Sequence, residues 1–420
     1  MLDKNFVRNH PDAVKEAVRV KGIDLDVDEL IRLEEHNRGL QFQVDEAQRQ
    51  RKSLSKEFAK ADETRRAELR TQSSELDGAL SELRAELSRA GAELRELLLL
   101  TPGIPWEGAP VGDDESANVV IRSWGKPPAF DFAVLDHVEI AERRGWAEFA
   151  RARQVSGERA YTLNGDLLML ERALHSYALD LLRTKDFTPI SVPSLVKEEA
   201  LVGTGMFPKG RSETYELPAE NLFLAGTAEV GLVGLHSGEI LDKSRLPIRY
   251  AGISPCFRRE IGSAGRDVRG LLRVHQFEKV EQFVICEADV EVSARWHQEL
   301  LATAEQILQE LGLAYEVVEC ATGDMGVGKF RMNDINTWIP SLETYRETHS
   351  CSTLHDWQAR RAGLKYRDSD GTVRIAHTLN NTAVATPRLL AAVVENFQTA
   401  DQKVRVPEVL RPYLGNRELL

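Results

Sequence analysis

The sequence is poor in cysteine: four residues, Cys256, Cys286, Cys320 and Cys351, are scattered along 420. A chain of this length builds its own core, so so few thiols exclude a disulfide framework and fit the reduced state of a cytosol. No apolar run nears the ~18 residues that a membrane span needs. The opening residues, MLDKNFVRNHPD, lack the basic-then-apolar order of a secretory signal. These absences predict a cytoplasmic protein with no membrane contact. Internal repeats and low-complexity tracts are also missing. Positive charge is outnumbered: 54 Lys and Arg face 66 Asp and Glu, for a net charge of −12. That balance excludes a protein that coats nucleic acid over its whole surface, although a local basic patch can still meet phosphate.

One such patch exists. Residues 49–70 hold eight Lys or Arg against four acids. It lies inside the strongest pattern of the chain. Leu30, Leu33, Asn37, Leu40, Val44, Ala47, Arg51, Leu54, Phe58 and Ala61 alternate spacings of three and four. Leu69, Leu76, Leu80, Leu83, Leu87, Ala90, Leu94 and Leu97 continue the rhythm with one position skipped. Such a stripe is the seam of a coiled coil. The rhythm breaks at 61–66, where Asp62-Glu63-Thr64 can start a new helix. Two helices with a short connection fold back antiparallel, each roughly 45 Å long at ~1.5 Å per residue. Thr101-Pro102-Gly103-Ile104-Pro105 ends the second one. A short helix after His10-Pro11 precedes the pair and runs to about Val20. Taken alone, the hairpin is a dimerisation device, a spacer or a lever that reaches a partner.

After residue 110 the pattern becomes mixed. Helices are expected over 165–185, 289–311 and 387–398. Strands are expected over 188–195, 222–225, 248–253, 274–286, 315–321, 334–339 and 374–378. The two prolines in 188–195 make that strand an edge or interface strand. Strands follow one another without regular βαβ alternation, which predicts an α+β domain with an antiparallel sheet flanked by helices. Two motifs mislead. Gly323 to Lys329 fits G-x-x-x-x-G-K, but Phe330 replaces the hydroxyl of a phosphate loop and no helix is expected to follow. His349, Cys351 and His355 could be metal ligands, but no C-x-x-C pair completes a zinc site.

The segment 256–283 has more chemistry. Two strand-like runs flank a loop at 261–270 rich in glycine and arginine. Arg258 and Glu260 alternate on the first run, and Phe277 and Glu281 lie on the second. A nucleotide needs such a set: a guanidinium for phosphate, a carboxylate for an amino group and an aromatic plate for a base. By itself the segment could equally be a solvated hairpin with ion pairs.

Phe257-Arg258-Arg259-Glu260 resembles motif 2 of the class II aminoacyl-tRNA synthetases. Gly270 to Glu281 resembles the return strand of the seryl-tRNA synthetase family, and Thr227-Ala228-Glu229 resembles that family's serine-binding loop. Residues 186–195 with Pro193 resemble motif 1, which forms the family's dimer. Pro387-Arg388 resembles motif 3, although Asn381 to Thr386 stand where glycines are frequent. Glu347-Thr348-His349-Ser350 stands where a more serine-rich stretch is common. The resemblance, to the bacterial type of the family, covers essentially the whole chain with its motifs in order.

It implies a tRNA-binding domain at 1–105 with an arm at about 27–100, and a class II catalytic domain at 106–420. It implies activation of L-serine by ATP with Mg²⁺, then transfer to the 3′ end of tRNA(Ser), and also of tRNA(Sec), by a homodimer. Arg258, Glu260 and Arg388 would be catalytic. Arg258 would hold the α-phosphate, Glu260 the adenine amino group and Arg388 the γ-phosphate. Phe277 would stack on the base, and Val274 would lie against the nucleotide. Arg259, Glu347, Thr348, His349 and Ser350 would complete the ATP site, with Glu347 and Ser350 on Mg²⁺. Thr227, Ala228, Glu229, Arg258, Glu281 and Thr382 would bind serine. Two other readings are a paralogue that loads a different carrier and a coiled-coil protein that has lost catalysis. The long arm argues against the first. The joint presence of Arg258, Glu260, Glu347 and Arg388 argues against the second.

Overall fold

The computed structural model describes residues 1–261 and 269–420. Most of the expected loop at 261–270 therefore lies outside the described residues. The chain divides into two compact units, residues 1–19 with 23–102 and residues 20–22 with 103–420.

The first unit is helical: α1 (Lys4–Asn9), α2 (Pro11–Val20), α3 (Val27–Phe58) and α4 (Glu63–Leu100). Aspartates open the long pair. Asp26 accepts from the Asp28 and Glu29 amides, and Asp62 accepts from the Arg65 amide. These are N-caps, and they satisfy donors that a helix start leaves unpaired. The expected break falls at residues 59–62. The seam is not uniform. At its base Val7, Val14, Leu30, Leu94 and Leu98 form one buried cluster. Toward the turn Leu54, Phe58, Leu76 and Leu83 are only partly buried. Arg51, read above as a seam residue, is exposed and pairs across the helices with Asp77 at 2.6 Å. At the turn the guanidinium groups of Arg66 and Arg70 lie 5.6 and 5.7 Å from the centre of the Phe58 ring.

The second unit is built on one eight-stranded sheet. Its strands are β1 (Val119–Trp124), β2 (Thr188–Ser191), β3 (Ile248–Phe257), β4 (Gln276–Cys286), β5 (Tyr315–Glu319), β6 (Arg331–Ile339), β7 (Thr344–His355) and β8 (His377–Ala385). Their order across the sheet is β1-β5-β6-β7-β8-β4-β3-β2. Every pairing is antiparallel except β2 with β3. The proline-bearing β2 forms one edge, as its missing amide requires.

Five helices bear on the site: α5 (Gly165–Thr184), α6 (Glu198–Thr204), α7 (Ala228–Leu235), α8 (Val290–Leu311) and α9 (Asp356–Ala362). A sixth, α10 (Arg388–Asn396), follows β8 directly. One large core joins α5, α8 and α10 to the sheet through Leu170, Leu174, Leu300, Ile307, Val284 and Leu389. All four cysteines are buried free thiols. No helix among the described residues is long and apolar enough to cross a membrane.

Two boundaries depart from the sequence reading. The expected strand at 374–378 is split: Val373–Ile375 joins a separate three-stranded sheet, and β8 starts at His377 and runs to Ala385, so Asn381 to Ala385 are strand. Asn381 pairs on both sides, to β7 and to β4, and Thr382 to Ala385 are held by β4, with Thr382 and Val384 favouring a strand and Asn381, Ala383 and Ala385 disfavouring one. Asn381 Nδ2 also donates to the Leu300 carbonyl at 2.8 Å. Conversely, β3 stops at Phe257, so Arg258 and Glu260 do not alternate on a strand. Glu260 has φ +53°, a turn conformation, instead.

The base of the hairpin is where truncation costs most. Leu30 is fully buried in its cluster. Leu30→Ala should destabilise the helical unit by about 2–5 kcal/mol, seen as an earlier loss of helical circular dichroism on heating.

Candidate active site

A cleft of about 220 Å³ opens on one face of the sheet. Its walls follow from strand alternation. Phe277, Lys279 and Glu281 are two residues apart on β4 and share one face. Asn380 and Thr382 do the same on β8, and Thr382 sits directly opposite Glu281. On β7 the pairing with β6 slips between Ile335 and Asn336, leaving Thr348 as an extra residue. That bulge turns both Glu347 and Ser350 to the cleft, although strict alternation would put residues three apart on opposite faces.

The remaining groups come from helix starts and turns. Thr227 caps α7, its Oγ1 accepting from the Glu229 amide at 3.3 Å. Glu229 occupies the first turn, where a carboxylate is favoured. Arg388 opens α10. Its Nε donates to the Leu272 carbonyl at 3.0 Å, and its Nη1 donates to the Glu347 carbonyl at 2.9 Å and to Oε2 at 3.2 Å. The Arg258 guanidinium lies 5.3 Å from the centre of the Phe277 ring. Arg273 pairs with Glu260 at 2.6 Å.

The cleft is electrostatically loaded at both ends. Glu229 is buried, and burial followed by the neighbouring Glu281 pushes its carboxyl up. Two amides oppose that shift: Gln358 Nε2 at 2.8 Å and Asn380 Nδ2 at 2.6 Å, both on Glu229 Oε1. Lys279 and Glu281 form an ion pair with side chains 8% and 2% exposed. Glu347 is enclosed by protein, yet about half of its side-chain surface (49%) remains open. Enclosure alone would raise its carboxyl, but the charges of Arg388 and Arg258 outweigh that and hold it low. Beneath it Asp334, paired with Ser350 in the ladder, is raised to about 7 by burial and by Glu347.

Thus the structure brings together Thr227, Glu229, Arg258, Glu260, Val274, Phe277, Glu281, Glu347, Thr348, Ser350, Thr382 and Arg388. Three expected residues do not reach the cleft with their side chains. Arg259 turns away, its Nη1 donating to the Ser212 carbonyl at 3.1 Å. Ala228 is fully buried and faces Gly252 on β3. His349 is buried, with Nε2 on the Ala383 carbonyl at 3.0 Å and Nδ1 against Thr348 Oγ1 at 2.8 Å. Burial lowers its imidazole to about 4, so it is neutral at pH 7.

Residues that sequence reasoning missed include Lys279, Asn380, Arg273 and Lys329. Alternation from Phe277 to Glu281 could have found Lys279. Lys329 belongs to the rejected phosphate-loop motif. A strand and not a helix follows that motif, yet the lysine still lines the cleft. The turn before it is held by the Lys21 ammonium, which donates to the Val327 and Lys329 carbonyls at 3.1 and 2.6 Å.

An antiparallel sheet with an arginine after one central strand and another at the head of the following helix, both facing one cleft, is the architecture of a class II synthetase core. Residues 214–397 match the family described as tRNA synthetase class II core domain (G, H, P, S and T). Residues 1–105 match the seryl-tRNA synthetase N-terminal domain. Serine–tRNA ligase of Deinococcus radiodurans is 50% identical over 420 residues, covering 100% of this chain and 99% of that protein. Among solved structures, seryl-tRNA synthetase of Pyrococcus horikoshii complexed with ATP superposes with a TM-score of 0.91 at 36% identity, over 100% of this chain and 99% of the other. The cytoplasmic serine–tRNA ligase of Naegleria fowleri in complex with AMP gives 0.88 at 32%, over 100% and 98%. The chain therefore belongs to the seryl-tRNA synthetase family.

The Lys279–Glu281 pair tests the electrostatics of the cleft. Lys279→Met would strand a buried carboxylate and should cost about 3–5 kcal/mol in thermal unfolding. Adding Glu281→Gln should recover part of that loss.

Proposed function

We propose that this chain activates L-serine with ATP and transfers the seryl group to tRNA(Ser), with tRNA(Sec) a further acceptor. One observation carries the reading: a single cleft holds two arginines, an aromatic plate and two buried carboxylates, the kinds of group that ATP and an amino acid each require. In the first step an oxygen of the serine carboxylate attacks the α-phosphorus. The bond from that phosphorus to the bridging oxygen breaks, and pyrophosphate leaves. The serine carboxylate is already anionic, so no enzyme base is needed. The protein's work is alignment and charge stabilisation. Arg258 holds the α-phosphate and one serine carboxylate oxygen. Arg388 stabilises the departing pyrophosphate. Phe277 stacks on adenine, Glu260 accepts from its amino group, and Val274 packs against the nucleotide. In the second step the terminal ribose hydroxyl of the tRNA attacks the acyl carbon, and AMP leaves.

Glu229 and Glu281 take the serine ammonium and hydroxyl, with Thr227 and Thr382 alongside. This set rewards an ammonium together with a hydroxyl, and leaves acceptors unpaired when alanine binds. Glu347 and Ser350 fit Mg²⁺: they offer only oxygen donors, and Ser350 Oγ is buried with no hydrogen-bond partner among the described residues. Held there, the ion would supply positive charge against the phosphates. The helical pair is the tRNA handle, with the basic stretch 49–70 around its turn as the phosphate-binding end. The edge strand β2 and the exposed apolar side chains of Leu168, Met169 and Leu195 support the homodimer that the motif-1 resemblance implies. The four buried thiols suit the cytoplasm.

Serine-dependent pyrophosphate exchange tests the first step; exchange with glycine or alanine but not serine would overturn the assignment. Arg388→Ala should lower the exchange kcat by about 10²–10³-fold. Deleting residues 40–87 should leave exchange nearly intact and abolish serylation of tRNA. In the full chain, tRNA affinity should fall as salt rises. Serylation that survives the deletion would rule out the handle.

A further inference from the structure

Glu229 is held by a residue outside the cleft. Gln358 is fully buried on α9, and none of its atoms lines the cleft. Its Nε2 donates to Glu229 Oε1 at 2.8 Å and to the Thr204 carbonyl, at the end of α6, at 3.2 Å. Both partners only accept, so the amide can face them only with its NH₂ end, and both hydrogens are used. The cost falls on the other end: Gln358 Oε1 is buried with no hydrogen-bond partner among the described residues. A side chain chosen for stability alone would not strand one oxygen in this way, because an unpaired buried acceptor is unfavourable.

The surroundings fix this amide. Neighbouring Trp357 packs so tightly that a Cβ on Gly205 or Gly328 would come within 2.2 Å of its ring. Arg361, one turn further on α9, donates from Nε to the Val202 carbonyl at 2.7 Å and from Nη2 to the Phe207 carbonyl. Helix α9 is thereby tied to α6 and to the loop carrying Met206, which lines the cleft. Asn380 Nδ2 reaches the same Glu229 oxygen from β8 at 2.6 Å. Two amides on Oε1 leave Oε2 as the oxygen for a ligand.

We propose that Gln358 is a positioning residue for amino-acid selection: it occupies one oxygen of Glu229 and aims the other at the serine ammonium or hydroxyl. This rests on the reading of Glu229 as a serine ligand. Of the groups that line the cleft, Gln358 bonds only Glu229, so its loss falls on serine and spares ATP. It also shifts the pH dependence of serine binding. Burial and then the facing Glu281 raise the Glu229 carboxyl; the Gln358 donor opposes that rise, as do the charges of Lys279 and Lys329. Without the donor, Glu229 takes up its proton at higher pH, and serine affinity is lost first at the acid end.

The experiment is pyrophosphate exchange with Gln358→Met in the full chain, measured at about pH 6 and about pH 8.5. The serine KM should rise about tenfold or more, with the ATP KM within about twofold, and the defect should be larger at the lower pH. If Gln358→Met does not fold, Gln358→Glu is read in its place: near-isosteric, it puts an acceptor where the donor was and should also raise the serine KM. Glu229→Gln is the control arm. A serine KM unmoved by Glu229→Gln overturns the ligand reading and this inference with it. A serine KM raised by Glu229→Gln but unmoved in the Gln358 variants overturns the inference alone. So does a parallel loss in serine KM, ATP KM and melting temperature, which marks a purely structural role.

Discussion

The cleft depends on the period-two alternation of two adjacent central strands, β4 and β8. Each sends one set of side chains into the core and the other into the cleft. On β4, Val280 and Val284 pack with Leu300 and Leu389, while Phe277, Lys279 and Glu281 face the opposite way. The core therefore holds the cleft groups in register: a one-residue slip of β4 would turn Lys279 and Glu281 into the apolar core and Val280 and Val284 toward the cleft. The departures from strict pairing are where the chemistry needs another direction. The slip opposite Thr348 brings Glu347 round to Arg388, and a second lies just after Thr382.

Several parts of this arrangement were legible in the residues. The heptad stripe and Asp62 located the hairpin and its turn. The motif residues located Arg258, Phe277, Glu281 and Arg388 because each is of a type that nucleotide or amino-acid binding demands. What was not legible depended on long-range pairing. Asn380 to Ala385 mix strand formers with Asn and Ala, and the pairing that makes them strand, to β4 throughout and to β7 as far as Asn381, is long-range. His349 was read as a nucleotide contact from its place between Thr348 and Ser350, but the bulge turns it inward to the Ala383 carbonyl. Gln358 carries no local signal, because its function lies in a hydrogen bond across 129 residues of sequence.

The buried polar groups around Glu229 and Glu281 work against stability, and on the proposed reading they favour selectivity. Each buried carboxylate must meet partners or shed its charge. Glu281 meets Lys279, and Glu229 meets two amides. Such a network is costly to leave incomplete, and that penalty lets a site reject a ligand lacking one donor. The neutral imidazoles behind the sheet serve a different end. His297 is bound by Thr353 at 2.9 Å and Asn333 at 2.7 Å, and burial keeps it uncharged by lowering it to about 4.

The helical pair has a continuous buried cluster at its base, while toward its turn the buried Leu69 and Leu80 alternate with the partly exposed Leu54, Phe58, Leu76 and Leu83. Bending stiffness follows how tightly the two helices are locked together, so the hairpin is a tapered beam. Its root resists bending, while the outer turns, joined by exposed ion pairs such as Arg51 with Asp77 and Arg65 with Glu57, can slide past one another. Such ion pairs in water contribute little and re-form readily with a new partner. A compliant, basic tip can follow the contour of a bent polyanion without transmitting that strain to the root.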